Sequence, residues 1–416
     1  MSDDRPQAEV SDDRPVVDFD HHDPDFPVNE TYGKLREQCP VAWSDNYGGF
    51  WILSRYEDIA NVARKDATFS SARDDEGRGG IVIPAWTSDT SIPIEMDPPE
   101  QMTYRKMLNQ LFSPQAVEKM GPMIDDIVTR TVDGFIERGS CDLIEELTGP
   151  VPALVTVNLL GLPERDAKRL QAAVHDVFSA AVGTERADRG AKEMEWVGQR
   201  LLEEIRDRRR NPRDDMLSFF CQQEVDGEPL ADDVVRSIAK LIVGGGMDTT
   251  TSLTGQTLVY LAAHPDVRRA LIDDPDLLTT ATDEFLRVFA PSQSMARTVT
   301  EPVEVGGCRF ARGDRVLVPW VAANFDESVF DRPEEIVLDR PKNRHLSFGL
   351  GFHRCVGAHL AKAMFQAMMR QVLARFPDYR VLTDQIVAYA DHGNQTGLDS
   401  VPAVFTPGPR VAAAAA

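Results

Sequence analysis

The spacing of apolar residues along the chain predicts mostly helices. Apolar residues three and four positions apart dominate residues 115–210 and recur over 232–264. The second stretch is the longest uninterrupted helical pattern, and we expect that helix to cross the molecule. Alternation with a period of two is confined to short runs within 41–54 and 298–319, which predict hairpins. The pattern therefore predicts a mainly α protein with small β-sheets, of the α+β class.

Three segments lack a regular pattern. Residues 1–25 are acidic and rich in turn residues, and we expect them to be disordered. Residues 411–416 read as a short tail to which we assign no function. Residues 71–96 mix charges, glycines and apolar residues without a period. An irregular stretch of this length is usually functional or disordered, so a functional loop and a mobile surface loop both remain open.

The middle of the long predicted helix contains the run Gly244-Gly245-Gly246-Met247-Asp248-Thr249-Thr250. Each glycine in a helix interior costs about 1 kcal/mol relative to alanine. A helix that keeps three of them in a row usually gains close approach of a ligand, a local opening or tight packing against another helix. On these residues alone, a ligand site and simple helix packing remain equally acceptable.

A cysteine stands at the mouth of another predicted helix, within the run Ser-Phe-Gly-Leu-Gly-Phe-His-Arg-Cys-Val-Gly-Ala-His-Leu-Ala at 347–361. Gly349 and Gly351 allow sharp turns or close approach to a flat group. A thiolate of Cys355 would be stabilised by the free N–H groups and the dipole of the helix N-terminus. A thiolate held under a planar group is one of the few axial ligands used for haem iron.

Three other readings of Cys355 have to be weighed. A single cysteine is most often a small buried apolar residue. His353 and His359 have spacings that suggest zinc, but no second cluster of Cys and His completes a tetrahedral set. A phosphate-binding loop would need a Lys-Ser/Thr ending and a preceding strand in a βαβ unit.

Charge and composition exclude several classes of function. The net charge of −22 and the pI near 4.8 argue against nucleic acid and against an anionic membrane surface as partners. No apolar run is long enough to span a membrane, and the first residues lack the apolar region of a signal peptide. Five scattered cysteines do not form a disulfide framework, which favours the reducing cytoplasm.

Residues 348–357 carry a long and specific spacing, Phe-Gly-x-Gly-x-His-x-Cys-x-Gly. It resembles the haem-binding loop of the cytochrome P-450 monooxygenases at every defining position. Three weaker motifs follow the order of that family: Asp97–Arg105, Gly244–Thr250 and Glu284–Arg287. The chain is similar to the soluble bacterial members of the camphor-hydroxylating type. The resemblance implies a single catalytic domain over 26–410 with the P-450 fold, and haem b between the long helix and the helix after the cysteine loop.

The same resemblance implies which residues touch the haem. Cys355 would be the iron ligand, and the other matching positions are Gln101, Arg105, Gly245, Arg297, His345, Phe348, Gly349, Gly351, His353 and Gly357. Arg105, Arg297 and His345 match positions that bind the haem propionates. Many bacterial relatives have histidine where Gln101 stands. That propionate contact is therefore expected to be absent or replaced by a neutral hydrogen bond.

The glycine-rich helix and the Glu-x-x-Arg motif also acquire roles through the resemblance. Gly245-Gly246-x-Asp248-Thr249 resembles the oxygen-activation motif, in which Thr249 assists activation of O₂ and Asp248 links it to solvent protons. Glu284 and Arg287 resemble a buried network beneath the haem. The usual third member of that network is replaced here by Glu335, and Arg340 is a possible substitute.

The resemblance also implies a substrate pocket, built by segment 81–86, the long helix, the strand after 291 and a turn at 394–398. Its candidate residues are Ile81, Val82, Trp86, Leu241, Gly244, Gly245, Ser294, Met295, Asn394 and Gln395. Gly244 leaves space, and the turn supplies polar groups. We expect a substrate larger than a monoterpene that carries an oxygen function, such as a terpenoid, steroid or polyketide.

Partners follow from what the sequence shows and from what the family needs. The sequence shows no flavin or iron–sulfur extension, so electrons would come from a separate ferredoxin and its reductase. A locally basic face near Cys355 suits an acidic ferredoxin, and its residues are Lys106, Lys342, Arg344 and Arg354. We expect a monomer that acts on a hydrophobic small molecule. The alternatives are a peroxide-driven or phenol-coupling haem-thiolate enzyme and a haem-based sensor.

Overall fold

The computed structural model describes residues 14–411, except residues 24, 86–89, 182 and 392. Trp86, predicted to line the pocket, lies outside the described residues, as do 1–13 and 412–416 of the two predicted irregular ends. None of the helices in the described part is both long enough and apolar enough to cross a membrane.

Helices form most of the described structure. Thirteen α-helices are found there: α1 (Val28–Gln38), α2 (Tyr56–Arg64), α3 (Glu100–Leu111), α4 (Pro114–Asp133), α5 (Pro150–Leu160), α6 (Ala167–Ser179), α7 (Glu185–Arg210), α8 (Met216–Cys221), α9 (Asp232–Ala263), α10 (Pro265–Asp273), α11 (Leu277–Phe289), α12 (Trp320–Asn324) and α13 (Ala358–Arg375). Several begin as the sequence suggests: Pro114, Pro150 and Pro265 lie in the first turns of α4, α5 and α10.

The long helix α9 is the centre of the helical layer. It ends one residue before the predicted boundary and packs against α5, α6, α7, α8, α11 and α13. Buried residues lie on all its faces in the C-terminal half, where every residue from 250 to 258 is buried except Gln256. A helix that is buried all round needs neighbours on every side, which explains its weak amphipathic pattern.

Strands form small sheets beside the helices. They are β1 (Val41–Ser44), β2 (Phe50–Leu53), β3 (Phe69–Ser70), β4 (Ser140–Asp142), β5 (Glu224–Val225), β6 (Glu228–Pro229), β7 (Ser294–Val299), β8 (Val303–Val305), β9 (Cys308–Phe310), β10 (Arg315–Pro319), β11 (Arg380–Val381), β12 (Val387–Ala388), β13 (Leu398–Ser400) and β14 (Pro402–Val404). The largest sheet has the order β1-β2-β10-β7-β3. This combination confirms the predicted mainly α fold with small β-sheets.

The register of the large sheet places the arginine of β7. β10 pairs antiparallel with β7 and parallel with β2, and Val316 lies opposite Arg297. The strand predicted from residue 298 begins earlier, at Ser294, so Arg297 lies inside β7 and not at its start. Two apolar cores result, one among the helices and one around this sheet.

The prediction of disorder over 1–25 is wrong for the described part of that segment. The N–H of Val17 donates to the carbonyl of Trp43 at 2.8 Å, and the N–H of Trp43 donates to Pro15 at 2.9 Å. Phe19 is buried against Phe26, Tyr32 and Phe50. The prediction rested on the acidic composition of the segment and gave no weight to Phe19, whose aromatic side chain anchors the segment to the sheet core.

The irregular segment 71–96 is held by buried charges. Arg73 and Glu95 form two hydrogen bonds at 2.7 and 2.8 Å, with side chains only 3% and 2% exposed. Arg315 donates to the carbonyls of Gly80 and Val82 at 2.9 and 3.0 Å. The described part of this loop therefore has a fixed path over the sheet, with the backbone satisfied by side chains.

Candidate functional site

The cysteine loop is shaped by its glycines and by one backbone hydrogen bond. Gly349 and Gly351 have φ values of +66° and +73°, a region that side chains rarely adopt. A Cβ on Gly351 would lie 2.6 Å from the carbonyl oxygen of Ala63, so only glycine fits there. The N–H of Cys355 donates to the carbonyl of Phe348 at 2.7 Å, which closes the loop just before α13 begins.

Cys355 is an exposed residue at the end of this loop. Desolvation of its sulfur by the surrounding protein raises the pKa of the thiol. The N–H of Gly357 and the charges of Arg105 and Arg354 oppose that rise. In the described part of the chain, no group of three or more Cys, His, Asp and Glu side chains could hold a metal ion, so the zinc alternative lacks a ligand set.

The glycine-rich part of α9 presents an open face. A Cβ added to Gly244 or Gly245 would meet no described atom within 4 Å, and Gly245 is exposed although the helix is central. Thr249 lies one turn after Gly245, and its hydroxyl donates to the Gly245 carbonyl at 3.0 Å. These glycines therefore do not serve tight helix packing; the face leaves room for a flat ligand beside Thr249.

Asp248 points away from Thr249 and into a buried network. One of its carboxylate oxygens accepts from Nδ1 of His175 at 2.9 Å, and the other accepts from the hydroxyl of Tyr389 at 2.8 Å. Nε2 of His175 is 3.0 Å from Asp399, which also pairs with Arg186. Asp248 is thus linked through His175 to side chains that reach solvent at the edge of α6 and α7.

The charge of His175 is set by these neighbours. Burial alone would lower its pKa, but the hydrogen bonds to Asp248 and Asp399 outweigh burial and raise the pKa to about 9. Sequence reasoning missed His175, Tyr389 and Asp399, because they lie far from Asp248 along the chain and carry no local motif. Only the fold brings α6, α9 and β13 together.

Arg297 is a buried cation that forms no ion pair with any residue in the described part of the chain. Its guanidinium donates to the carbonyl of Ala296 at 2.8 Å, while its Nε has no partner among the described residues. Burial lowers its pKa to about 10, against the opposing charges of Asp66 and Asp97. A buried charge is stable only when it is paired, so this position fits an anionic ligand group such as a haem carboxylate.

His353 adds a second unsatisfied donor site at the same place. Its Nε2 is 3.5 Å from Asp66 and has no hydrogen-bond partner within the described structure. Burial, with the charges of Arg297 and Arg105, lowers its pKa to about 3. Both oxygens of Asp66 are likewise buried and unpartnered in the described part. The predicted haem contacts Arg297 and His353 are therefore brought together, beside the cysteine loop.

Arg105 and Gln101 hold the backbone of the cysteine loop. The guanidinium of Arg105 donates to the carbonyl of Arg354, and it also donates to Asn109 at 3.0 Å. The amide of Gln101 donates to the carbonyl of Phe352 at 3.0 Å, and its buried oxygen has no partner among residues of the described ranges. Both side chains therefore contact the cysteine loop, and their predicted contacts with haem stay a prediction.

The predicted propionate contact of His345 is wrong. Its Nε2 is 3.1 Å from Asp283 on α11, and its Nδ1 accepts the N–H of Ser347 at 3.3 Å. Both ring nitrogens are therefore in use, and Asp283 also binds Lys362 at 2.5 Å. Phe348 packs against the helical core below the loop, with Lys362 5.9 Å from its ring centre.

The Glu-x-x-Arg motif forms a completely buried network. Glu284 and Arg287 make two hydrogen bonds of 2.9 Å, and both side chains are 0% exposed. Arg340 supplies the third member, at 2.9 and 3.0 Å from Glu284. Glu335 takes part through its carbonyl, which accepts from Arg287 at 3.0 Å, while its carboxylate faces Arg332.

The predicted pocket segments converge on the start of β7. The N–H of Ala296 donates to Ile81 at 2.7 Å, and the hydroxyl of Ser294 donates to Gly393 at 3.2 Å. Asn394 and Gln395 follow and are buried, with unpartnered side-chain atoms within the described ranges. Of the other pocket candidates, Val82 is buried, Gly245 is exposed, and three are half-buried: Leu241, Gly244 and Met295.

Known proteins share this arrangement. The family model "Cytochrome P450" matches residues 158–378. The chain is 33% identical to "Steroid C26-monooxygenase" of Mycobacterium tuberculosis, over 91% of this chain and 94% of that protein. It is 28% identical to "Cytochrome P450 CYP107DY1" of Priestia megaterium, over 94% of this chain and 99% of that protein. The solved structure of Mycobacterium marinum cytochrome P450 CYP268A2 in complex with pseudoionone has a TM-score of 0.88 and 27% identity, and covers 96% of this chain and all of that one. The chain belongs to the cytochrome P450 family, the haem-thiolate monooxygenases that use haem b and O₂.

Proposed function

We propose that the protein inserts one oxygen atom of O₂ into a hydrophobic small molecule of steroid or terpenoid size that carries an oxygen function. The observation that carries this proposal is the pairing of a shaped cysteine loop with an open glycine face on α9. Haem b, when bound by Cys355, would supply the O₂-activating chemistry. The residues described below hold it, deliver protons and select the substrate.

The haem carboxylates would be held by the unsatisfied groups near the loop. Arg297 offers a free Nε–H and His353 a free ring nitrogen among the described residues, and Gln101 and Arg105 order the loop beneath them. Pairing an anion with Arg297 would remove the cost of its buried, uncompensated charge. These contacts position the flat ligand between Cys355 and the Gly244–Gly245 face.

Proton delivery would run along α9. Asp248 can pass a proton to the hydroxyl of Thr249 only after one of its carboxylate oxygens leaves His175 or Tyr389, or through an intervening water. His175 holds a proton next to Asp248 at neutral pH, because its pKa is raised to about 9. The acid–alcohol pair supports O₂ as oxidant over the peroxide-driven alternative, which has less need of a proton route.

The substrate class rests on the turn residues and on the relatives. Within the described ranges, the unpartnered amide N–H of Asn394 could donate to a carbonyl, and the unpartnered amide oxygens of Asn394 and Gln395 could accept from a hydroxyl group. One relative is named for steroid oxidation, and a structural relative was solved with pseudoionone. An unsatisfied buried amide favours a ligand that carries oxygen over a plain hydrocarbon.

Electrons would come from a ferredoxin and its reductase. Lys106, Lys342, Arg344 and Arg354 are exposed near the cysteine loop in a chain of net charge −22. Met102 and Phe352 are exposed beside them, and together they suit a partner with an acidic rim and an apolar centre. All five cysteines are free, which supports a reducing cytoplasm, and we propose that the protein acts there as a monomer.

Two spectra test this function on the haem-loaded protein. The reduced protein with carbon monoxide should give the difference spectrum of thiolate-ligated haem, and Cys355→Ala should lose it. A spin-state screen should then find steroids and large oxygenated terpenoids as the ligands that displace water from the iron. Retention of the thiolate spectrum by Cys355→Ala, or binding of small monoterpenes alone, would contradict the proposal.

A further inference from the structure

Two neighbouring histidines of the N-terminal segment lie where two pocket loops meet. Nε2 of His21 is 2.9 Å and Nε2 of His22 is 2.8 Å from the carbonyl oxygen of Ile83. On its other side, Nδ1 of His22 is 2.9 and 3.0 Å from the two carboxylate oxygens of Asp391. His22 therefore bridges the loop that carries Ile81 and Val82 to the turn that carries Asn394 and Gln395.

The acceptors around His22 determine its proton count. A carbonyl and a carboxylate can only accept, so both contacts are satisfied together only when both ring nitrogens carry a proton. His21 has one acceptor, and its buried Nδ1 has no partner among the described residues, which fits a neutral ring. Burial and the charge of His22 lower the pKa of His21 to about 4. Burial would lower the pKa of His22 too, but Asp391 and the Ile83 carbonyl raise it above its usual 6.5.

The groups packed around His22 favour its charged form. In its own segment, Asp20 accepts the backbone N–H of His22 at 2.9 Å, and the ring of His21 lies 4.3 Å away. From the β1–β2 connection, the ring of Tyr47 lies 5.3 Å away, and its hydroxyl donates to Asp20 at 2.7 Å. From the turn comes Asp391. Two carboxylates thus face one imidazolium, with one neutral histidine and one neutral tyrosine.

Both ends of this bridge are fixed to the rest of the fold. The N-terminal segment pairs with β1 through Val17 and is anchored by the buried Phe19. At the turn, Asp391 also accepts the N–H of Gly393 at 2.7 Å, and Gly393 accepts from Ser294 of β7. A Cβ on Gly393 would lie 2.2 Å from the ring of His22, so the two are in close contact. The ring of His22 is therefore in direct contact with both the loop and the turn.

We propose that His22 is a specificity-determining residue: it clasps the Ile83 carbonyl and the Asp391 carboxylate and so sets the distance between the two loops that select the substrate. The proposal rests on the proposed function, because it takes both loops as walls of the substrate pocket. It assigns a part of the pocket frame to a segment whose composition suggested only disorder. His22 acts through the loops and is a positioning residue.

The clasp has a defined pH range. His22 has a folded pKa above its unfolded value, so its contribution is complete below about pH 6.5 and is lost as the pH rises through the folded pKa. Above that pKa one ring nitrogen has no proton, and either the Ile83 or the Asp391 contact is lost. Pocket selectivity should therefore change at alkaline pH in the wild-type protein.

Ligand binding to the haem-loaded protein tests the proposal. His22→Gln is compared with His21→Gln, which removes a contact to the same carbonyl but leaves Asp391 bound. Testosterone serves as the large oxygenated probe, and imidazole as a small iron ligand. We expect His22→Gln to weaken testosterone binding at pH 6 by about tenfold, the loss of one charged hydrogen bond, and imidazole binding by less than about twofold. The difference in testosterone affinity between His22→Gln and the wild type should become smaller at alkaline pH. His21→Gln should weaken testosterone binding less than His22→Gln does.

An NMR titration separates the clasp from the substrate class. The ring nitrogens of His22 should titrate above pH 6.5, and Asp391→Asn should lower that pKa. A His22 pKa at or below 6.5, or an unchanged ratio of testosterone to imidazole affinity in His22→Gln, would overturn the proposal. If the wild type binds no testosterone, the proposed steroid class is wrong. The affinity ratio is then measured between the largest ligand found in the spin-state screen and imidazole. An unchanged ratio in His22→Gln, or a His22 pKa at or below 6.5, again overturns the proposal.

Discussion

Two buried clusters of charged residues differ in one respect. In the Glu284 cluster (Glu284, Arg287 and Arg340), the carboxylate and both guanidinium groups make paired hydrogen bonds. In the Arg297 cluster (Arg297, His353 and Asp66), polar atoms of all three side chains lack a partner within the described residues. In each cluster a buried arginine lies near a buried carboxylate.

The difference shows what each cluster is for. Buried charges that are fully hydrogen-bonded lock elements together, and removing one partner leaves an uncompensated charge. Buried charges without partners destabilise the fold by themselves, and a protein keeps them only when something else satisfies them. The Glu284 cluster therefore stabilises the polypeptide, whereas we propose that the unpartnered Nε–H of Arg297 binds an anionic group, for which a haem carboxylate fits.

The largest effect is expected in the Glu284 cluster. Glu284→Ala leaves Arg287 and Arg340 buried without their carboxylate, and we expect a loss of about 3–5 kcal/mol in the free energy of unfolding. Urea unfolding of the haem-free protein measures it. Glu335→Gln is the control, since that carboxylate is 55% exposed and its carbonyl makes the internal contact. If Glu284→Ala and Glu335→Gln both lower the free energy of unfolding by the same small amount, the Glu284 cluster does not stabilise the fold as we infer.

In the Arg297 cluster, we expect removal of the charge to leave the stability of the haem-free protein intact and to weaken haem binding. Arg297→Met removes an unpaired buried charge, so the haem-free protein should unfold at the same or a higher urea concentration. Its affinity for haem should fall by about tenfold to a hundredfold, the range for hydrogen bonds to charged groups. Haem transfer to an excess of a globin acceptor measures this loss.

Arg315→Met is the matched control for that variant. Arg315 is a half-buried arginine of the same sheet, and partial burial lowers its pKa to about 10, but its guanidinium donates to Gly80, Val82 and Thr298. We expect it to lose stability without a selective loss of haem. If both arginine variants lose haem affinity and stability to the same extent, the unpaired state of Arg297 does not indicate a role in haem binding.

The network around Asp248 should behave as an intermediate case that depends on pH. His175 has a pKa of about 9 against 6.5 unfolded, so its contribution is complete below pH 6.5 and is lost as the pH rises through 9. Because about a fifth of its side chain is exposed, we expect at most about 3 kcal/mol. The difference in unfolding free energy between the wild type and His175→Gln should shrink over that interval; a constant difference would rule out the charged pair.

The smallest effect is expected at His345. Its partner Asp283 is a third exposed and also binds Lys362, so His345→Gln should cost about 1 kcal/mol or less. Haem transfer should be unchanged, since His345 is occupied by Asp283 and Ser347. A loss of haem as large as that of Arg297→Met would restore the propionate contact that the structure argues against.

The sequence predicted what depends on neighbours along the chain. The cysteine loop, the glycine run of α9, and the Glu284–Arg287 pair are local, and each lies where its motif indicated. Arg340 was predicted as a possible substitute for the third member of the Glu284–Arg287 network, and its hydrogen bond to Glu284 confirms this.

What depends on distant parts of the chain could not be predicted. His175 and Tyr389 contact Asp248, and Asp399 contacts His175, only because the fold brings distant segments together. His22 reaches Asp391 across almost the entire chain. His345 fitted a position in the family pattern, but the choice of Asp283 as its partner is a tertiary contact with no periodic signal.

Haem with both carboxylates esterified shows whether Arg297 is kept unpaired in order to bind the carboxylates of haem. The affinities of the wild type and Arg297→Met are measured for haem and for its dimethyl ester. We expect the substitution to weaken haem binding about tenfold or more and to leave ester binding within about twofold. An equal loss with both ligands would show that Arg297 acts by packing alone, and would contradict the claim.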